Sequence, residues 1–510
     1  MTYNTDFLNL TARQLVEGYQ AKTFSPVEVT EAALARIEAH NKMVNAFVYV
    51  DEYPQERYHD HARQEATRSA ERWEKGEPFG SLDGVPFTVK DLVLTKDWPT
   101  LRGSLSTSVN DSWDESAPVV ERLLEAGAIF LGKTTTPEYG WKGVTESPRT
   151  GITRNPWNLE RATGGSSGGA SAAAALGFGT LHLSNDGGGS SRLPACFCGV
   201  VGFKSTFGRI ANYPPGHTGT LLHPGITTRT VEDAAFMLNI LSRPDPLARD
   251  WYALPYDGQD YLAKLEINDK SSRPLEGLRI AYSPTFRRNI YDEEGLFINE
   301  EDYGVDSQIE NKVKAAVEVL RGLGATVDTI NASDRNPVLK RALQIYDTFW
   351  RVSAAKLVRG FTIDQVFQVE TGLILTALFG QGISQIEYIK AIDEREALGR
   401  GMEQLHKEYD LLITPTLPIK AFKVGLLCPD DSQFYGPNSN WTPFTYVFNL
   451  TQQPAISVPC GFTEDNLPVG MQIIGAKYND LLVLQVARAY EKVVPFVMAK
   501  PTVVHQRTVG

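Results

Sequence analysis

GGSSGGASAAAALGFG (residues 164–179) and SNDGGGSSRLPACFCGVVGF (residues 184–203) set two glycine–serine knots inside one short span of the chain. A flexible linker is the plainest reading of so many glycines. The flanks reject it, because AAAALGFG and ACFCGVVGF are small and apolar, and such runs are buried when a protein folds. Glycines set between core segments mark special backbone geometry. Both knots also carry hydroxyls, and GGSSGG matches the nucleophile elbow G-x-S-x-G twice, centred on Ser166 and on Ser167. An elbow follows an apolar strand, however, and the preceding RNPWNLERAT (154–163) is polar and reads as a loop.

Around the knots the chain alternates helices with strands. SPVEVTEAALARIEAHN (25–41) opens with Ser25 as N-cap, Pro26 in the first turn and Glu28 three residues on, and it places Val29, Ala33 and Ile37 on one face. SAPVVERLLEAGAIFLGKT (116–134) repeats that grammar with Ser116 and Pro118, a stop at Gly127 and then the apolar strand AIFL. KVKAAVEVLRGLGATVDTI (312–330) does the same. The last third holds strand-like runs, DLLITPTLP (410–418), PAISVPCGF (454–462) and LPVGMQIIGA (467–476), before a final helix, LLVLQVARAYEKV (481–493). This order predicts an α/β fold, a large mixed sheet flanked by helices. Residues 244–275 read as a surface connection and 335–405 as a helical, aromatic-rich block.

Composition narrows the function. The chain has 510 residues, 42% of them hydrophobic, enough for a large core and for roughly three domains of average size. Fifty basic against 61 acidic residues give a formal charge of −11, which argues against nucleic acid or anionic lipid as partners and favours small neutral substrates. The start, MTYNTDFLNLTARQ, shows no basic leader, and the least polar run is too short and glycine-broken to cross a bilayer. A soluble, cytoplasmic enzyme is expected. Four cysteines, Cys196, Cys198, Cys428 and Cys460, are too few for a disulfide scaffold and read as buried thiols.

Two motif matches fail on context. GAIFLGKT (127–134) fits the Walker A pattern, but a helix precedes it and its variable positions are a buried strand, so it presents no phosphate loop. HDH (59–61) lies in a charged helical stretch with no third ligand at a telling spacing, and no metal site is expected. Among eight histidines, His182, His217 and His223 lie near or beyond the knots, but none sits in a recognisable catalytic setting. A better base is Lys90, which ends the short apolar strand in LDGVPFTVKDL (82–92). Pairing with Asp91 or another carboxylate is the competing reading. As a base the amine must be uncharged, so burial or a nearby cation has to lower its pKa from about 10.4.

GVPFTVKDL (84–92), LGKTTTPEYGW (131–141), RNPWNLERATGGSSGGAS (154–171) and NDGGGSSRLPACFCGVVGFKST (185–206), in that order, resemble the amidase signature family of serine hydrolases. The N-terminal helices and the segments of the last third extend the likeness over nearly the whole chain. The resemblance implies one α/β/α sandwich over residues 1–510, with helices of 1–70 packed on the core and the 335–405 block on the substrate side. It implies a catalytic triad of Lys90 as base, Ser166 as bridging serine after a cis peptide from Gly165, and Ser190 as nucleophile, without cofactor. Backbone N–H groups of Gly187, Gly188, Gly189 and Ser190 are the expected oxyanion hole. Ser167, Thr163, Asp186 and Arg192 are expected in support, the last two as a pair bracing the loop.

Departures from the family pattern bear on substrate. GKTTTPEYGW replaces the commoner GKTNMPEF, which brings Thr135, Thr136, Tyr139 and Trp141 toward the expected pocket, and Ser191 replaces an aliphatic residue after the nucleophile. Tyr346, Phe349, Trp350, Phe367 and Phe379 are candidates to line an apolar channel. A neutral, partly aromatic amide or anilide is the favoured substrate, and a carbamate is chemically equivalent. The chain is read as a monomer or homodimer that acts on a small molecule. The rivals are one component of a glutamine-dependent amidotransferase and a non-catalytic binding protein on the same scaffold.

Overall fold

In the computed structural model, residues 5–268, 270–291, 296–429, 441–496 and 501 are described. Ten strands form one mixed sheet: β1 (Pro86–Lys90), β2 (Ile129–Thr134), β3 (Leu181–Asp186), β4 (Val201–Lys204), β5 (His223–Thr228), β6 (Arg279–Tyr282), β7 (Thr326–Thr329), β8 (Leu411–Pro415), β9 (Ala455–Phe462) and β10 (Pro468–Gly475). Their order in space is β7-β6-β8-β10-β9-β4-β5-β3-β1-β2. At one edge β1 runs parallel to both β2 and β3, whereas the centre from β3 through β8 is antiparallel.

The principal helices are α1 (Ala12–Gln20), α2 (Pro26–Val44), α3 (Gln55–Lys75), α4 (Pro118–Glu125), α5 (Gly168–Leu176), α6 (Arg192–Cys198), α7 (Val231–Leu241), α8 (Ser307–Gly322), α9 (Ala342–Arg359), α10 (Ile363–Phe367), α11 (Thr371–Gln381), α12 (Gln385–Glu408) and α13 (Asp480–Val493). Alternate residues of each strand face opposite helical layers. Ile280, Leu411, Ile413 and Ile473 join the core beneath α7, α8 and α13, while Ala281, Leu412 and Ile474 join the one beneath α9 and α12. The N-terminal helices are tied in from both sides: Ala12, Leu15 and Val29 enter the main core, and Ala33 and Ile37 pack with Ala172 and Ala173 of α5. No helix among the described residues is long and apolar enough to cross a membrane.

Local grammar holds in most places. Ser25 accepts from Glu28 N and Glu28 answers to the Ser25 backbone, a complete capping box on α2. The four thiols are free and buried. Two local expectations need correction. Ser116 does not cap α4, because Ala117 occupies that position and the Ser116 hydroxyl accepts from Lys96 N instead. Residues 154–163 are not simple loop, since Arg154–Asn155 pairs antiparallel with Asn158–Ala162. The Walker-like IFLGKT is β2, buried throughout.

Two features tie the knots to this frame. At the start of α5 the chain runs so close to β2 that a Cβ on Gly169 would lie 2.4 Å from Thr135 N and 2.7 Å from Ala46 O. Between β3 and α6, Arg192 and Asp186 form a fully buried bidentate pair, at 2.9 Å and 3.0 Å. Arg192 also donates to Gln472 and Asn449, both at 2.7 Å, so all three guanidinium nitrogens are engaged. Burial alone would raise the Asp186 pKa, but Arg192 and the hydrogen bonds outweigh it and hold the carboxyl below its ordinary range.

This packing can be tested at both points. Gly169→Ala has to push backbone against backbone and is expected to cost about 1–3 kcal/mol in urea unfolding; a change under ~0.5 kcal/mol would show that the contact yields freely. Asp186→Ala leaves a guanidinium buried without its counter-charge and should cost about 3–5 kcal/mol at pH 7. Because the folded-state pKa of Asp186 lies below its unfolded value, the native chain holds this stabilisation above about pH 4 and loses it on acidification. The Asp186→Ala variant should therefore show a shallower loss of stability below that pH, and equal acid slopes would contradict the assignment.

Candidate active site

Register brings the pieces together. Parallel pairing sets Val89 of β1 beside Leu183 of β3, so the chain ends at Lys90 just where β3 presents Ser184, Asn185 and Asp186. Open parallel edges of this kind collect functional groups at the carboxyl ends of their strands. The first knot enters from the side: Gly165–Ser166 is a cis peptide, and Ser167 precedes α5. The second knot follows β3 directly and leads into α6. Ser167 N donates to Ser190 O at 3.2 Å, which joins the two knots through the main chain.

Lys90 is fully buried. Its Nζ lies 2.7 Å from Ser166 Oγ, 2.8 Å from Ser167 Oγ and 2.6 Å from Asn185 Oδ1. It makes no ion pair among the described residues. Asp91, the partner in the competing reading, instead accepts from Leu101 N at 2.9 Å and Gly103 N at 3.3 Å. Burial depresses the Lys90 pKa well below the usual lysine value, and the field of Asp186 opposes this only in part.

Counting donors fixes the direction of each bond. Asn185 Oδ1 can only accept, so it takes one N–H of Lys90. The Ser167 hydroxyl donates to Asn185 O at 3.1 Å and accepts the second N–H. The third contact of Nζ is with Ser166 Oγ, the direction in which a neutral amine with both protons so spent would offer its lone pair. Asn185 was not among the expected site residues; its amide just before Asp186 in SNDGGGS was the available signal.

Ser166 is buried and Ser190 half-buried, and both line a cavity of about 230 Å³. Ser190 also lines a second, smaller cavity of about 50 Å³ with Trp141, Tyr346, Trp350 and Trp441. His217 lines the larger cavity, but no hydrogen bond joins an imidazole to Ser190 among the described residues. Burial pushes the His217 pKa down to about 4. His182 is engaged with Thr88 and His223 with Leu221 O.

The glycine loop is more differentiated than its sequence suggests. Gly189, at φ 125°, donates its N–H to Asp186 Oδ1 at 2.7 Å, which removes it from the expected set of oxyanion donors. The N–H groups of Gly187, Gly188 and Ser190 donate to no protein acceptor among the described residues. Thr445 Oγ1 holds Gly188 O at 2.8 Å, and Asn449 Nδ2 holds Asp186 O at 2.8 Å, so the loop is fixed from a segment far away in sequence.

Other expected residues divide by orientation. Tyr139 lines the larger cavity and Trp141 the smaller. Thr135 and Thr136 do not line either: the Thr135 hydroxyl pairs with Thr153 at 2.7 Å, and the Thr136 hydroxyl turns back to Pro137 O. Ser191 is drawn under the sheet by Ser184 at 2.8 Å. Thr163 bonds to Gly164 O rather than to the lysine, and Thr145 braces the turn by bridging Gly164 O and Gly168 N. Of the aromatic block, Tyr346 and Trp350 reach the cavities, Phe349 packs on Tyr388, and Phe367 and Phe379 lie exposed on the outer surface.

Comparison with known proteins places the chain in a family. The family model described as Amidase matches residues 28–484. The chain is 32% identical to a glutamyl-tRNA(Gln) amidotransferase subunit from Carboxydothermus hydrogenoformans, covering 96% of this chain and 99% of that one. It is also 32% identical to an acylamidase from Rhodococcus erythropolis, covering 96% and 97%. Among solved structures, a bacterial aryl acylamidase superposes with a TM-score of 0.81 at 28% identity, covering 96% of each chain. The chain belongs to the amidase signature family of hydrolases.

Proposed function

We propose that this enzyme hydrolyses a carboxamide or related C–N bond, an aryl or alkyl amide, an anilide or a carbamate, through an acyl-enzyme on Ser190. The observation that carries this reading is the buried Lys90 amine, without a carboxylate partner and 2.7 Å from Ser166 Oγ. Neutral Lys90 takes the proton of Ser166, and Ser166 takes that of Ser190 as Ser190 Oγ bonds to the substrate carbonyl carbon. The carbonyl electrons move onto oxygen, where the N–H groups of Gly187, Gly188 and Ser190 are the available donors. As the C–N bond breaks, the proton returns from Lys90 through Ser166 to the leaving nitrogen. Water then repeats the cycle on the acyl-enzyme and frees the acid. Ser167 and Asn185 keep the lone pair of Lys90 directed at Ser166.

A second reading is favoured by the named amidotransferase relative: release of ammonia from glutamine for a partner enzyme. The cavity walls include Leu92, Val93, Leu94, Tyr213, Leu222 and Trp350 beside their polar groups, and these residues suit an apolar or aromatic amide better than a primary side-chain amide. A panel of anilides, alkyl amides, carbamates and glutamine separates the two, and turnover of glutamine alone would reverse the preference.

Ser190→Ala is expected to lower kcat on an amide by at least about 10⁴-fold. Lys90→Ala should lower amide hydrolysis by about 10²–10⁴-fold and spare activated esters, whose leaving groups need little proton assistance; equal loss of both would remove Lys90 as the base. The pH profile supplies a separate check. With its folded-state pKa depressed, Lys90 becomes neutral as pH rises, so kcat/KM should climb on the acid side and level off well below pH 10.5. A profile still rising through the ordinary lysine pKa would contradict a pre-neutralised base.

A further inference from the structure

The larger cavity carries one formal charge. Its walls include Leu92, Val93, Leu94, Ala117, Val119 and Leu357, its polar groups are hydroxyls, amides and the imidazole of His217, and neither an acidic residue nor a lysine lines it. The exception is Arg102. Its guanidinium makes no ion pair among the described residues; it donates to Thr100 O at 3.2 Å and lies 6.0 Å from the ring centre of Trp113. In a chain with 61 acidic residues, a half-buried arginine at a cavity wall with no salt-bridged carboxylate is unusual.

The backbone adds an independent observation. Arg102 sits at φ 55° and Tyr139 at φ 50°, in the left-handed region that L-residues rarely adopt. The two are bonded to each other, Tyr139 N donating to Arg102 O at 2.7 Å, and Arg102 N donates to Asp91 O at 3.1 Å. So a pair of residues in a sparsely populated conformation, anchored to the residue after the lysine, both line the same cavity. Conformations of this kind cluster at ligand clamps.

We propose that Arg102 is a specificity-determining residue that binds a carboxylate on the substrate, remote from the scissile bond, so that the preferred substrates are amides with an apolar body and an acidic end. The proposal rests on the amidase reading and deepens it. A guanidinium recognises a carboxylate through two parallel N–H donors, and the apolar walls strengthen that contact by excluding water. The remaining surface of the substrate meets Leu92, Val119, Tyr213 and Trp350.

Two measurements keep the proposal separate from the reaction. In the first, the Ser190→Ala protein is titrated with an ω-phenylalkanoate and with the alcohol of equal length. The carboxylate is expected to bind roughly 10- to 100-fold more tightly, with Arg102→Met erasing the difference and Arg102→Lys keeping part of it. Equal binding of acid and alcohol, or an unchanged difference in Arg102→Met, would overturn the proposal whatever the enzyme hydrolyses. In the second, kcat/KM is compared for anilides of equal length ending in a carboxylate, a methyl or an ammonium group, with the charge placed on the acyl part in one series and on the aniline in the other. Preference for the acidic member in either series, lost in Arg102→Met, supports the assignment; acidic and neutral members equal in both series contradict it. Failure to turn over any anilide, alkyl amide or carbamate, with selective carboxylate binding retained, would sink the amidase reading and leave the acid site standing.

Discussion

An amine sealed away from water with only uncharged oxygen atoms for company is the constraint from which the rest of this site follows. A buried ammonium without a counter-charge is costly enough that the group gives up its proton instead. Lys90 meets that condition because Asp91 is already committed to two backbone N–H groups and Asp186 is bonded to Arg192. Asp186 still acts on Lys90 through space, in the direction that favours the charged form, but burial outweighs it. The distinction between a paired and an unpaired lysine thus rests on where two neighbouring aspartates spend their acceptors.

Positioning such an amine requires rigidity from several parts of the chain. The lysine comes from the end of β1, its hydroxyl partners from the turn before α5, and Asn185 from β3. The Ser190 loop is held from the far side by Thr445 and Asn449, and Arg192 reaches Gln472 on β10. A site assembled from segments so far apart needs the whole sheet in place before it exists. That fits a family likeness spread over almost the full length rather than confined to the two knots.

Sequence patterns made the frame legible because they report local physics. The capping box at Ser25, the strand ending in Lys90 and the glycine knots are properties of a few adjacent residues, and each appears in place. What escaped was direction. Thr135, Thr136 and Ser191 lie next to the right segments, but their hydroxyls are claimed by Thr153, Pro137 O and Ser184, contacts set by tertiary neighbours. Gly189 looked like its neighbours until the carboxyl of Asp186 was seen to take its N–H. Thr145, Thr445 and Asn449 offered no local pattern of their own, since their roles depend on partners distant in the chain.

Net charge, like local pattern, takes no account of where things are. A formal charge of −11 argues for neutral ligands only if the field at the cavity resembles the average over the surface. At physiological ionic strength an exposed charge is screened beyond roughly 8 Å, whereas a half-buried one acts through a medium that screens far less. The cavity next to Ser190 has no acidic residue in its walls and one guanidinium. Arg102 and the oriented N–H groups at this cavity both favour negative charge on a bound ligand. An acidic protein can in this way hold a site selective for acids, because the acidic surface and the cationic pocket are electrically separate environments.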